Sequence, residues 1–252
     1  MEFPTGTPTR IGRFEIEAPP GPPGREGTFL ARDPRDGRRV TLRVVPTRSR
    51  PLPETRAEFL ERARAHAALG HPSLHRVLAA GEAGGYRYVV EEPVVGTSLA
   101  DVLAVGRLES ERAIAIAAAI AGAVATIEGR GLVAGALGPE RVRLEPGGRP
   151  TIPSLDVAPG PRRPGDAVRG LGTIARALSD AALGPDAAIR ALERVAADCS
   201  GEAIPTVAEV AERLSALERN WRTTLSVGCA CGRVHRAGAD AGGTEVRCGC
   251  GA

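Results

Sequence analysis

At 252 residues with 42% hydrophobic side chains, the chain is long enough for one mid-sized domain or a two-lobed unit with a small appendage. Formal net charge is only +3, with 33 basic and 30 acidic residues spread along the sequence, which excludes the strong field of a bulk nucleic-acid or membrane binder. Lysine and glutamine are absent and Asn220 is the only asparagine, so chemistry that needs a lysine amine is excluded too: an arginine guanidinium stays protonated near neutral pH.

Residues 1–10 are short, polar and proline-containing, without the apolar centre of an export signal, and read as a flexible tail on a cytoplasmic protein. Strands are expected over 14–18, 27–32 and 39–45, with turn chemistry at 19–24 and 33–37, giving a three-stranded antiparallel meander. A helix follows over 53–69, where Phe59, Ala63 and Ala67 recur at helical spacing behind Pro53. Two more strands, 76–80 and 86–91, flank the Gly-rich turn at 81–85.

Beyond Gly96 the pattern becomes helical and alanine-rich, over 99–105, 110–130, 167–182, 186–197 and 207–220, with a short hairpin at 142–152. The apolar run 113–127 spans 15 residues, short of the roughly 20 that cross a bilayer, and reads as a buried helix rather than a membrane segment. Aromatic residues divide the chain in the same way: six precede residue 90 and only Trp221 follows. The fold class is therefore α+β and two-lobed, with a β-rich lobe at 11–95, a helical lobe at 96–220 and a small appendage at 224–252.

Six stretches, in order, resemble bacterial Ser/Thr protein kinases of the eukaryotic type over about residues 11–219: IGRFEIE at 11–17, GTFLARDPRDGRRVTLRVV at 27–45, HPSLHRVLAAGE at 71–82, YVVEEPVVGTSLADVL at 88–103, GLVAGALGPERVRL at 131–144 and IPTVAEVAERLSAL at 204–217. The resemblance implies a protein-kinase-like fold with the interlobe hinge near 88–103. It also supplies a test, because phosphoryl transfer rests on charges in defined positions.

Several of those positions hold other residues. The Gly-rich loop retains Gly21 and Gly24 but has Pro23 and Glu26 in place of its later glycines, removing an amide donor and adding a carboxylate. Arg43 stands at the third-strand lysine position, and Arg62 falls where its glutamate partner would be, with Glu61 one residue away; Arg43 facing Arg62 would repel. The catalytic loop reads Ala134-Gly135-Ala136-Leu137-Gly138-Pro139-Glu140-Arg141. It keeps the loop-shaping Leu137, Pro139 and Glu140, while the base becomes Ala136, the lysine Gly138 and the metal-binding asparagine Arg141.

The metal-binding aspartate of the family's Asp-Phe-Gly motif falls at Ser154 by ungapped counting, or at Asp156 with a two-residue insertion. Only residues 159–165 separate this point from the next helix, too few for an activation segment. The resemblance thus implies a degenerate nucleotide pocket formed by Gly21, Gly24, Arg43 and Asp156, no catalytic residues, and a chain that is not an enzyme. ATP is not expected as a cofactor, and protein partners are expected through a scaffold or regulatory role. The alternatives are a vestigial kinase that binds ATP weakly and an adaptor that contacts nucleic acid.

Four of the five cysteines crowd the end of the chain as Cys229-Ala-Cys231 and Cys248-Gly-Cys250. Two thiolate pairs of this kind suit a tetrahedral Zn2+ site, and the metal supplies folding energy that a segment this short lacks. The stretch 224–252 resembles a minimal zinc ribbon, with the departure that each pair has one intervening residue rather than two. Disulfides are the competing reading. His235 could replace one thiolate, although a lone loop histidine is more often solvent-exposed, and Cys199 reads as a partly buried structural thiol; the ribbon's Arg233, Arg236 and Arg247 lack an aromatic for base stacking, so protein contact is preferred to nucleic acid.

Overall fold

The computed structural model describes residues 9–18, 27–47, 54–153, 155, 163, 165–184, 186–201, 203–222, 224–228 and 234–238. The first lobe is a six-stranded antiparallel sheet in the order β1 (Arg10–Ile11), β2 (Phe14–Ala18), β3 (Gly27–Arg32), β4 (Arg39–Pro46), β6 (Tyr86–Glu91), β5 (Val77–Ala83). The three strands form where the alternation predicts them and the turn at 33–37 joins β3 to β4, while the turn expected at 19–24 lies outside the described residues. Strand β5 runs three residues further than expected, because the turn is made by Gly84 and Gly85 in left-handed conformation and Gly81 stays in the strand.

Helix α1 (Arg56–Ala67) lies between β4 and β5 in sequence and is shorter than the expected 53–69. Its start is fixed by a capping box. The Thr55 hydroxyl accepts from the Glu58 amide, while the Glu58 carboxylate accepts from the Thr55 amide, satisfying donors that a helix N-terminus leaves orphaned. Phe59, Ala63 and His66 form its buried face.

Register determines the chemistry of the sheet. Arg43 lies opposite Val89 and Thr41 opposite Glu91 on neighbouring strands β4 and β6, so Thr41, Arg43, Val89 and Glu91 share one face. Phe59, Ala63, Val45 and Val89 pack together on that side, joined by Leu155. The opposite side buries Phe14, Phe29, Leu42, Val44 and Val90.

The second lobe holds β7 (Thr97–Ser98), α2 (Leu99–Val105), β8 (Leu108–Glu109), α3 (Ser110–Glu128), β9 (Arg143–Leu144), β10 (Pro150–Thr151), α4 (Asp166–Ala181), β11 (Ala182–Leu183), α5 (Asp186–Asp198) and α6 (Val207–Arg222). Helix α3 is its centre, packing against α6 and α4 and burying Ile114, Ile116, Ile120, Val124 and Ile127. It is long and apolar enough to cross a membrane, but most of its surface is buried inside the protein, as expected of a core helix. A left-handed Gly96 permits the turn between the lobes, where a Cβ would strike the Leu144 carbonyl. Beyond α6, β12 (Thr224–Gly228) and β13 (Val234–Gly238) pair antiparallel.

Candidate functional site: the interlobe cleft

Arg43 is a cation in an apolar strand, and burying it demands an anion close by. That anion is Glu91. Arg43 Nε donates to Glu91 Oε2 at 3.0 Å and Nη2 donates to Oε1 at 2.9 Å, a bidentate pair made possible by their diagonal placement on one sheet face. The two side chains are 7% and 0% exposed. Arg43 Nη2 also donates to the Leu155 carbonyl, beyond the second lobe's hairpin β9–β10, so one guanidinium ties the sheet to the segment preceding Asp156.

His75 closes the cluster from the other side. Its Nδ1 lies 3.6 Å from Glu91 Oε2, and its Nε2 lies 3.2 Å from Thr151 Oγ1 on β10. Backbone bonds reinforce this crossing: the His75 amide donates to the Ile152 carbonyl and the Ile152 amide to the Ser73 carbonyl, both at 2.9 Å. Burial alone would push the Glu91 carboxyl up, but the Arg43 charge and the contact with His75 outweigh it and hold the group at about 2. Glu91 is therefore ionised at neutral pH. Thr41, opposite Glu91 in register, accepts from the Val94 amide at 3.0 Å.

Behind the hinge a cleft of about 500 Å³ has His75 and Thr151 in its lining, with Leu69, His71, Arg76 and Arg149 around them. The Arg43 cluster therefore touches this rear cleft through His75.

The expected repulsion between Arg43 and Arg62 does not arise, and that expectation is corrected. Arg62 is paired with Glu54 instead, its Nε donating to Glu54 Oε2 at 3.0 Å. The buried Arg87 shares Glu54 at 3.4 Å, donates to Glu82 at 2.7 Å, and sits 4.7 Å above the Phe59 ring. Helix α1 is thus fastened to the sheet through Glu54, Arg87 and Phe59, while Arg43 takes its anion from β6.

The loop with Ala136, Gly138 and Arg141 is held by backbone hydrogen bonds. The Pro139 carbonyl accepts from the Ala100 amide at 3.1 Å and the Gly138 carbonyl accepts from the Arg141 amide at 3.0 Å. Ala136 is exposed and Gly138 buried. Leu137 packs so closely on α4 that a Cβ on Gly170 would stand 2.6 Å from its own. Of the remaining sequence candidates, Gly21, Gly24, Asp156 and the four cysteines Cys229, Cys231, Cys248 and Cys250 lie outside the described residues.

Glu91 and His75 were not singled out from sequence. The available signal was Arg43 itself, an arginine within an apolar strand that needs a buried counter-ion. Choosing Glu91 over Glu61 or Glu92 requires the strand order.

No family model matches the chain. It is 30% identical over 138 residues to the Serine/threonine-protein kinase pkn2 of Myxococcus xanthus, a match covering 55% of this chain and 17% of that protein. The chain therefore spans a small part of that relative's length. Among solved structures, the Mycobacterium tuberculosis PknI kinase domain superposes with a TM-score of 0.66 at 20% identity, covering 86% of this chain and 100% of that one. A single-substitution mutant of the same kinase domain gives a TM-score of 0.67 at 20% identity, over 86% of this chain and 99% of that one.

The chain thus has homology to a bacterial Ser/Thr protein kinase domain and carries the protein-kinase-like fold. The expectation that it is not an enzyme is corrected by the sequence match, which is to a Ser/Thr protein kinase.

Proposed function

We propose that this chain is a regulatory domain of the Ser/Thr protein kinase type, in which the kinase fold binds and positions a protein partner. The observation that carries this reading is the buried contact of Arg43 with both Glu91 and the Leu155 carbonyl. A guanidinium held at three points across the lobes limits their relative movement, and a fixed two-lobed surface suits partner binding. Native mass spectrometry of the chain isolated from its own cells is expected to give a stoichiometric complex with another protein. A chain that stays alone at every concentration would refute the reading.

The homology with a Ser/Thr protein kinase favours a second activity for the same domain, phosphoryl transfer from ATP to a protein hydroxyl. In this reading Arg43 supplies the positive charge beside the phosphates and Asp156 is the candidate metal ligand, while Ala136, Gly138 and Arg141 leave the usual base, lysine and asparagine roles to other groups. Transfer of labelled γ-phosphate to a Ser- and Thr-containing protein, lost in Asp156→Ala, is the expected result. Absence of label with a range of substrates would count against it.

A structural Zn2+ held by Cys229, Cys231, Cys248 and Cys250 is the reading proposed for the tail. Support comes from the pairing of β12 with β13, which brackets the segment carrying Cys229 and Cys231, and from the affinity of zinc for four thiolates. A small metal-held hairpin of this kind fits protein contact.

A further inference from the structure

We propose, resting on the regulatory reading above, that the cleft behind the hinge docks an acidic segment of a protein partner, one that carries an aliphatic side chain among its carboxylates. Three separate pieces of chain form this cleft. Residues 67–70 at the end of α1 and residues 92–95 of the hinge meet the turn between β9 and β10, which contributes Glu145 and Arg149. Its volume of about 500 Å³ lies within the roughly 300–1,000 Å³ of sites that take a ligand.

The cleft has an apolar wall and a charged rim. Val95 is 52% exposed and stands in the lining with Leu69 and Pro93, an apolar patch edged by arginine and glutamate, as at protein contact surfaces. The rim charges are unequally placed. Arg76 is paired with Glu92 at 3.4 Å and Arg149 with Glu145 at 2.6 Å, but the guanidiniums are 70% and 55% exposed against 45% and 24% for the carboxylates. An arriving chain therefore meets cations first. Both pairs also leave donors over: Arg76 offers only Nη1 to Glu92, and Arg149 directs Nε and Nη2 to the single oxygen Glu145 Oε2.

A third guanidinium stands beside the same turn. Arg112 of α3 is exposed, its Nη2 lies 2.8 Å from the position a Cβ on Gly148 would take, and it has no carboxylate partner among the described residues. With Arg76, Arg112 and Arg149 against Glu92 and Glu145, the rim carries an excess of positive charge and favours carboxylates over ammonium groups. Exposed ion pairs of this kind contribute little to stability, so exchanging Glu92 or Glu145 for a partner's carboxylate costs little. His75 and Thr151 line the same cleft and join the lobes at 3.2 Å. A segment seated there touches both lobes and favours the arrangement in which they meet.

The test uses the full chain as wild type, Val95→Asp, Arg76→Glu/Arg149→Glu and, outside the cleft, Val105→Asp, at a position 89% exposed at the end of α2. All of these positions are exposed, so the variants should fold. Native mass spectrometry reads the partner complex recovered from the chain's own cells. Fluorescence anisotropy reads two labelled peptides, one of alternating leucine and glutamate and one of alternating leucine and lysine. Wild type and Val105→Asp should carry the partner, while both cleft variants keep about a tenth of it or less. Wild type should bind the glutamate peptide at least about fivefold more tightly than the lysine peptide, and Arg76→Glu/Arg149→Glu should reverse that preference.

A partner retained by both cleft variants, or lost equally from Val105→Asp, overturns the docking site and leaves the regulatory reading standing. A wild type that prefers the lysine peptide, or shows no preference, overturns the docking site as well. If wild type carries no partner, both fall.

Discussion

Glu91→Met removes one partner of the buried pair and leaves Arg43 charged in an apolar setting. Loss of one partner from a buried ion pair costs about 3–5 kcal/mol, a large part of the roughly 5–15 kcal/mol that holds a domain together. At about 2–4 °C per kcal/mol for a protein of this size, the melting temperature should fall by about 6–20 °C. Replacing both residues, as Arg43→Met/Glu91→Met, removes the guanidinium charge as well. It should cost only about 1–3 kcal/mol, mainly through the unpaired Leu155 carbonyl and imperfect packing. The double variant should therefore be more stable than the single one, and urea denaturation followed by far-ultraviolet circular dichroism measures the difference. A single variant that costs less than about 1 kcal/mol, or a double variant less stable than the single, refutes the description of Arg43 and Glu91 as a desolvated pair.

The same pair makes stability acid-dependent. Because Glu91 is held at about 2 against an ordinary 4.5, its contribution is fully present above about pH 4.5 and is lost as pH falls from there toward 2. Between pH 7 and pH 3 the wild type should lose about 2 kcal/mol more than Arg43→Met/Glu91→Met in urea titrations, and equal losses would dismiss the link. Gly96→Ala forces a Cβ against the Leu144 carbonyl at a φ of +111°, and should cost at least about 2 kcal/mol in the same assay; a neutral effect would mean that the turn between the lobes adopts another conformation. Metal analysis of the purified chain should find about one equivalent of zinc, falling when Cys229 and Cys231 are both changed to Ser, and less than about half an equivalent in the unaltered chain would end the zinc reading.

Local order was legible where a residue's requirement is local. The alternation along β3 already separates an inward from an outward set, whereas the capping box of Thr55 and Glu58, though local, was not singled out and starts α1 later than the expected Pro53. The kinase-like order of strands and helices was readable for the same reason, as was the survival of Leu137, Pro139 and Glu140 around the positions occupied by Ala136, Gly138 and Arg141.

The ion-pair partners were not legible. Arg43 and Glu91 are separated by 48 residues, which leaves no local signal; Arg62 takes Glu54 rather than facing Arg43 because α1 is fastened to the sheet by its Phe59 against Arg87. The sequence by itself determined that a cation sits in the third long strand of an apolar sheet, that lysine is nowhere available to replace it, and that its burial requires an anion. Which carboxylate answers, and that the pair also reaches Leu155 across the lobes, was decided by strand register and by the way the second lobe returns to the sheet. Electrostatic need is written in composition and pattern, whereas the choice of partner depends on distances that exist only once the chain is folded.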